Sequence, residues 1–344
     1  MKAIKLTGIR QMKMVEVPDP VLINPSDVKI RMSVVGVCGS DIHYYTRGNI
    51  GSQVVKYPFT VGHEGAGIVV ETGKDVKKIK SGDAVAVDPA IWCGDCDQCR
   101  AGRHHTCRKL KFLGCPGQAE GCLSEYIVMP EASCFPVPKN LIPEHGAISE
   151  PLSIGIYSVR KAGEIKDLNI GILGFGPIGM SVMLGSRAMK AGKIYVTDKI
   201  EERLKIAQRE KVTWTGNPLK EDISEVIRKK EPLGLDVVFE CCGQQEALDQ
   251  ALDILKPGGK IVMIGIPEFD NWILNADKSR RKEISTQPIR RQVGCTEPAL
   301  RMMSDGTINV GNMVTHHFPF NRTKEAFDLV ASYSDGVMKA MIEF

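Results

Sequence analysis

The sequence lacks the features that mark membrane-spanning, exported and nucleic-acid-binding chains. No apolar run approaches the ~18 residues that a membrane-spanning helix needs, and the opening residues MKAIKLTGIRQ contain no apolar signal-peptide core. Aromatic residues make up only 6%, and the formal net charge of +4 is spread along the chain, so neither a basic patch nor a stacking platform is present. We therefore expect a soluble cytoplasmic protein that acts on a small molecule.

Cysteine, by contrast, is plentiful. Eleven cysteines in a chain without an export signal argue against disulfides, because a reducing cytosol keeps thiols free for metals or catalysis. Four of them form a C-x2-C-x2-C-x7-C pattern within residues 92–108: Cys93, Cys96, Cys99 and Cys107. Four thiolates complete a tetrahedral zinc shell and leave no open position, so this lobe predicts a structural zinc.

The hydrophobic pattern changes along the 344 residues, a length that favours two domains. Short alternating runs at 11–17 and 28–37 predict strands joined by glycine turns, rather than long helices, over the first 150 residues. From about residue 153, apolar strands alternate with segments at helical spacing, which predicts an α/β domain with a doubly wound parallel sheet. After about residue 295 a helix, a strand and a helix are predicted, and periodicity alone assigns this tail to neither domain.

A glycine-rich turn, GFGPIG, follows the apolar strand LNIGIL. This G-x-G-x-x-G pattern predicts a dinucleotide site in which a helix N-terminus faces the pyrophosphate. Asp198 ends the next predicted strand, where its carboxylate can accept the ribose hydroxyls and would repel a 2′-phosphate, so NAD(H) is preferred over NADP(H). The predicted dinucleotide-binding residues are Gly174, Gly176, Pro177, Ile178, Gly179, Asp198, Arg203 and Gly265.

A second set of metal-binding residue types is scattered along the chain. Cys38, His63, Glu64 and Glu150 offer sulfur, nitrogen and oxygen donors, a set suited to zinc with one position left open. Each of these residues alone is a weak signal, because single cysteines and histidines are more often packing residues.

Several motifs together resemble one family. GHE at 62–64, followed by Gly67, Gly73 and Val76, resembles the signature of the zinc-containing medium-chain alcohol dehydrogenases, and the cysteine lobe, GFGPIG and the final THHFPF agree in order. Within that family, GVCGSDIHYY and ISEPLSIGIYS resemble the polyol branch, typified by sorbitol (L-iditol) dehydrogenase.

The resemblance implies a discontinuous architecture. A mainly β, GroES-like catalytic domain would comprise 1–152 and 296–344, with the structural zinc lobe at 92–108, and a Rossmann NAD-binding domain would comprise 153–295. The catalytic zinc would lie in the cleft between the two domains, and the chain would form a homodimer or homotetramer.

The resemblance also implies roles for the residues of the site. Cys38 and His63 match zinc ligands, Glu64 is expected as the third ligand, and Glu150 is expected to reach the zinc through water or in an alternate state. Asp41 would orient His63 from the second coordination sphere.

Further expected roles belong to residues that would contact the substrate. Ser40 and His43 would carry the released proton, and Glu150 is included with them as a catalytic residue. Tyr44 and Arg290 would contact the substrate.

The expected reaction is the zinc-dependent oxidation of a secondary alcohol, on a polyol or sugar-like compound, to a ketone with hydride transfer to NAD. A threonine or 2,3-butanediol dehydrogenase of the same family is the nearest alternative. A zinc hydrolase or deaminase is less favoured, since Glu64 directly follows His63 instead of forming H-x-E, and a hydrolase has no use for the glycine-rich turn.

Overall fold

The chain divides into two compact units in a computed structural model that describes all 344 residues. Unit 1 comprises Met1–Glu150 and Val293–Phe344, and unit 2 comprises Pro151–Gln292. The tail that periodicity left unassigned therefore folds with the first 150 residues. None of the helices combines the length and the apolar character needed to span a bilayer.

Unit 1 is mainly β-structure. Its strands before residue 150 are β1 (Lys2–Gly8), β2 (Gln11–Glu16), β3 (Asp27–Gly36), β4 (Asn49–Ile50), β5 (Gln53–Val54), β6 (Glu64–Thr72), β7 (Ala84–Val87), β8 (Ala90–Ile91), β9 (Lys111–Phe112), β10 (Tyr126–Pro130) and β11 (Cys134–Pro136). Two short helices, α1 (Gly39–Arg47) and α2 (Asp97–Arg100), interrupt them.

Strand β3 is central to unit 1 because its alternating apolar residues are buried in the core. It pairs antiparallel with β6 and β10, and Gly36 lies opposite Glu64 in the register. The chain returns to this sheet through α9 (Thr296–Ser304), β18 (His316–Pro319), α10 (Thr323–Ala331) and β19 (Ala340–Glu343). The sheet order is β11-β7-β6-β3-β19-β18, with β10 on β3, so β19 lies directly beside β3.

Unit 2 alternates strands and helices. Its strands are β12 (Ile170–Leu173), β13 (Ile194–Thr197), β14 (Trp214–Gly216), β15 (Leu235–Glu240), β16 (Leu255–Met263) and β17 (Ser285–Pro288). Its helices are α4 (Pro177–Ala188), α5 (Glu201–Arg209), α6 (Ile223–Lys230), α7 (Gln245–Ile254) and α8 (Ala276–Arg281). All six strands are parallel in the order β14-β13-β12-β15-β16-β17, which is the doubly wound dinucleotide-binding order with its switch point between β12 and β15.

One long helix, α3 (Pro143–Ala162), begins in unit 1 and ends in unit 2. The prediction that the first 150 residues contain no long helix was wrong here. Pro151 lies inside this helix, where it removes only the hydrogen bond to the carbonyl of Ala147. Burial of apolar side chains such as Ile148, Leu152 and Ile156 on one face outweighs that loss.

Candidate metal and dinucleotide sites

Three predicted zinc ligands come together at one end of the β3–β6 pair. Cys38 follows β3, His63 precedes β6 and Glu64 is the first residue of β6. Their sulfur, nitrogen and oxygen ligand atoms all lie within 4.8 Å of one another. The antiparallel register that sets Gly36 opposite Glu64 produces this convergence, so pairing of the two strands builds the cluster.

Gly36 makes room for the Glu64 carboxylate. A Cβ atom at position 36 would lie 2.2 Å from Oε2 of Glu64, well inside van der Waals contact. A glycine is therefore required for the carboxylate to lie over the end of β3.

Asp41 holds His63 in a fixed orientation. Its Oδ1 lies 3.3 Å from Nδ1 of His63 and accepts a hydrogen bond from the Gly62 amide at 3.1 Å, while Oδ2 accepts one from the Cys38 amide at 3.3 Å. A proton held on Nδ1 by this carboxylate leaves Nε2 of His63 free to bind a metal. Burial acts to lower the pKa of His63, but Asp41 and Cys38 outweigh it and raise the pKa well above its ordinary value.

Ser40 and His43 lie on α1, and both are half-buried. The Ser40 hydroxyl donates a hydrogen bond to the sulfur of Cys38 at 3.3 Å. This contact places a proton-carrying oxygen directly beside a predicted metal ligand.

Glu150 is buried on α3 and is not part of the three-ligand group. Burial raises the pKa of its carboxyl to about 7; His63 opposes this change, and Glu64 adds to it. These electrostatic interactions place Glu150 in the surroundings of the cluster, while Glu64 is the acid that directly accompanies Cys38 and His63.

Lys339, which sequence reasoning missed, lies against the same cluster. Its ammonium group donates hydrogen bonds to both carboxylate oxygens of Glu64 at 2.6 Å and to the Val37 carbonyl at 3.2 Å. Lys339 precedes β19, the strand beside β3. A signal was present in the sequence, since a single charge interrupts the apolar run VMKAMI.

The four lobe cysteines form a compact group around α2. Sulfur–sulfur distances are 3.4 Å for Cys93–Cys107 and 3.9 Å for both Cys93–Cys99 and Cys96–Cys107. A tetrahedral shell with Zn–S bonds of ~2.3 Å requires sulfur–sulfur distances of roughly 3.8 Å. The four thiols are free rather than joined as disulfides, so both chemistry and spacing fit zinc.

The glycine-rich turn of unit 2 follows β12. Gly174 has a φ of +93°, a conformation that favours glycine, and α4 begins at Pro177 with Gly176 as its N-cap. A Cβ atom at Gly179 would lie 2.0 Å from the Gly174 carbonyl oxygen. The turn therefore needs both glycines to bring the N-terminus of α4 up against the end of β12, with Ile178 in the first turn of that helix.

Asp198 is hydrogen-bonded to the backbone of this turn. Its Oδ2 accepts a hydrogen bond from the Phe175 amide at 2.6 Å, and its Oδ1 accepts one from the Ile200 amide at 2.8 Å. A guanidinium nitrogen of Arg203 lies 3.9 Å from the same carboxylate. Gly265 lies in the loop that follows β16, where a Cβ atom would be 2.1 Å from the Gly243 amide nitrogen. The predicted dinucleotide residues thus share the carboxyl edge of the parallel sheet.

The two predicted substrate contacts differ in their surroundings. Tyr44 is buried, and its hydroxyl donates a hydrogen bond to Oε1 of Gln53 at 3.2 Å and lies 3.9 Å from the sulfur of Cys115. Arg290 is exposed in unit 2.

A doubly wound parallel sheet of the dinucleotide-binding order, joined in one chain to a β-domain with two clusters of potential metal ligands, is typical of a metal-dependent dehydrogenase. Family models match both parts, with the alcohol dehydrogenase GroES-like domain at residues 24–139 and the zinc-binding dehydrogenase domain at residues 177–305. The chain belongs to the zinc-containing medium-chain alcohol dehydrogenase family, and the resemblance and fold class predicted from the sequence are confirmed.

Individual relatives cover nearly the whole chain. A sorbitol dehydrogenase of Bacillus subtilis is 33% identical over 343 residues, which are 99% of this chain and 97% of the relative. An L-idonate 5-dehydrogenase of Vitis vinifera is 35% identical over 95% of this chain and 90% of its own. A candidate zinc-binding dehydrogenase of Sinorhizobium meliloti, solved with NADP bound, is 28% identical with a TM-score of 0.89 over 100% of this chain and 99% of that chain.

Proposed function

We propose that this protein oxidises a secondary alcohol of a polyol or sugar-like substrate to a ketone, using zinc and NAD. The observation that carries the proposal is the convergence of Cys38, His63 and Glu64, with Asp41 orienting His63. Support for the substrate class comes from relatives named for sorbitol and for L-idonate.

The residues of the cluster suit a catalytic zinc. Cys38, His63 and Glu64 would hold it, and Glu150 would approach it through water or in an alternate state. When bound, zinc acts as a Lewis acid that lowers the pKa of an alcohol hydroxyl from near that of water, ~15.7. A second zinc would be held by the four lobe cysteines and would be structural, since these thiolates leave no position for a substrate.

Two residues of α1, Ser40 and His43, would carry out the proton transfer. The Ser40 hydroxyl, now bonded to the sulfur of Cys38, would turn to accept the substrate hydroxyl proton at its Oγ while donating its own proton toward the ribose of the dinucleotide, and His43 would pass a proton on to solvent. Tyr44, held by Gln53, would orient substrate hydroxyls, and Arg290 would bind the polyol.

The glycine-rich turn would bind the dinucleotide, whose nicotinamide accepts a hydride from the substrate carbon. Asp198 supports NAD over NADP, because a buried carboxylate at the end of β13 would repel a 2′-phosphate. A relative with NADP bound makes this preference worth a direct comparison. Assembly as a homodimer or homotetramer stays a prediction from the family resemblance.

A substrate panel tests the proposal. Sugar alcohols, inositols, 2,3-butanediol, threonine and sugar phosphates would be supplied with NAD and with NADP, and reduction of the dinucleotide followed by absorbance. We expect turnover with a polyol and NAD, abolished in Cys38→Ser but retained in Cys134→Ser, a buried cysteine outside both clusters.

Dinucleotide binding, measured by fluorescence titration, should survive in Cys38→Ser. Turnover by Cys38→Ser at the wild-type rate would refute the zinc mechanism. Turnover restricted to threonine or butanediol would refute the polyol assignment alone.

A further inference from the structure

The ion pair between Glu64 and Lys339 is as deeply buried as any charged pair in unit 1. Both side chains are only 1% exposed, and the ammonium group lies 2.6 Å from each carboxylate oxygen. A buried charge is costly unless it is paired and hydrogen-bonded, and the Val37 carbonyl provides a further acceptor for the ammonium. Lys339 is therefore fixed on Glu64 and does not reach solvent.

The same carboxylate belongs to the cluster with Cys38 and His63. A carboxylate has about four acceptor positions, two on each oxygen, so one hydrogen bond on each oxygen still leaves positions for a metal. A cation at 2.6 Å nevertheless withdraws electron density from both oxygens and competes with a metal for the charge of Glu64.

We propose that Lys339 is a positioning residue that weakens Glu64 as a metal ligand by pairing with both of its carboxylate oxygens. The proposal rests on the proposed function, in which Cys38, His63 and Glu64 bind a divalent metal. Its consequence is electrostatic. Lys339 adds one positive charge beside the metal ligands, so the site is one charge more negative when the lysine is absent. Lys339 thus keeps the metal a stronger Lewis acid.

The surrounding backbone supports this role. Gly36 allows the Glu64 carboxylate to lie over β3, because a Cβ atom there would come within 2.2 Å of Oε2. Since β19 pairs with β3, Lys339 arrives on the same strand end as the ligands. The sheet therefore fixes both partners of the ion pair.

The test measures metal affinity rather than turnover. Co²⁺ would be titrated in competition with a chelator, and the Cys38 site isolated by subtracting the matching Cys38→Ser protein. In Lys339→Met, which removes the charge but keeps an unbranched side chain, we expect affinity to rise at least about tenfold, the usual scale of second-sphere effects, with a changed cobalt spectrum. Lys339→Arg, which keeps the charge, should bind cobalt nearly as the wild type does.

A control variant, Lys282→Met, separates the competition between Lys339 and the metal from a general loss of stability. Lys282 lies in unit 2, and its ammonium group donates to the carbonyls of Leu252, Asp253 and Leu255, so Lys282→Met should lose stability without changing affinity at the Cys38 site. An unchanged or lower affinity in folded Lys339→Met would overturn the proposal and leave Lys339 a purely structural residue.

A second background keeps the test decisive if Lys339→Met alone does not fold. Glu64→Gln and the double variant Glu64→Gln/Lys339→Met bury one charge or none, and the proposal predicts tighter cobalt binding in the double variant, because the unpaired ammonium of Glu64→Gln leaves one extra positive charge beside the metal. Equal or weaker cobalt binding in the double variant would overturn it. Failure of the proposed function gives a distinct result, since cobalt binding would then be equal in the wild type and in Cys38→Ser.

Discussion

Oδ1 of Asp41 lies 3.3 Å from Nδ1 of His63 and at the same time accepts the Gly62 amide, while the carboxylate is wholly buried. One side chain on α1 therefore fixes both the imidazole ring and the backbone that carries it. The geometry of His63 depends on a residue that itself stays outside the ligand group.

Replacing this carboxylate tests that dependence. In Asp41→Asn we expect metal affinity at the Cys38 site to fall by about 10- to 100-fold, because the His63 ring loses the charged acceptor that orients it. Chelator competition measures the change. Asp83→Asn is a suitable control, since Asp83 accepts a hydrogen bond from the Lys80 amide in a turn of the same unit. Wild-type affinity in Asp41→Asn would show that His63 is held by its packing alone.

The cysteine lobe makes a separate prediction about metal content. Cys96→Ser should lower the bound zinc by one equivalent per chain, because three thiolates and a hydroxyl hold zinc poorly. Trp92 stacks on His104 with ring centroids 4.7 Å apart, so tryptophan fluorescence should report loosening of the lobe. Cys134→Ser should keep full zinc content; a loss of zinc in both variants would point to general unfolding instead.

Two glycines of α4 provide a matched pair for the dinucleotide turn. Gly179→Ala should abolish dinucleotide binding, because its Cβ atom would lie 2.0 Å from the Gly174 carbonyl oxygen. At Gly185, in the same helix, the nearest atom to a new Cβ is 3.5 Å away, so Gly185→Ala should bind normally and gain up to ~1 kcal/mol of stability from helix propensity. Fluorescence titration and thermal unfolding measure the two effects. Tight NAD binding by Gly179→Ala would contradict the assignment of the turn.

Glu240, at the end of β15, makes a prediction about pH. Burial raises the pKa of its carboxyl, although hydrogen bonds from the Cys242 and Gly243 amides oppose this, and its Oε2 has no hydrogen-bond partner. The folded protein therefore holds this proton more tightly than the unfolded chain does, and stability is lost as pH rises from about 4.3 through the raised pKa.

The corresponding measurement is urea unfolding of wild type and Glu240→Gln at several pH values from about 5 to about 8. Glu240→Gln should lose less stability than the wild type over this range. Glu246→Gln, at an exposed position on the neighbouring helix, should follow the wild type. Parallel pH profiles for wild type and Glu240→Gln would show that Glu240 titrates normally.

The sequence predicts unit 2 well, because each buried parallel strand is a continuous apolar run and each helix has its own periodicity. The strand through LNIGIL and the helix after GFGPIG occur as expected, as β12 and α4. Helix α3 was missed because Pro151 and several small residues obscure its pattern, and burial of its apolar face stabilises it.

The candidate site was less predictable than the fold. Cys38, His63 and Glu64 are recognisable by residue type and motif, but only strand pairing brings them within 4.8 Å. Lys339 carries no motif at all, and its role depends on β19 pairing with β3. Long-range register is not encoded in any local pattern, so the single charge within VMKAMI does not by itself reveal which residue Lys339 pairs with.

The separation of Glu64 from Lys339 by 275 residues has a consequence for biosynthesis. At ordinary elongation rates of 5–20 residues per second, roughly 15 to 55 seconds pass between translation of the two. All of unit 2 is made in that interval. Glu64 is therefore translated well before the cation that pairs with it, and the ion pair can form only after almost the whole chain has been made.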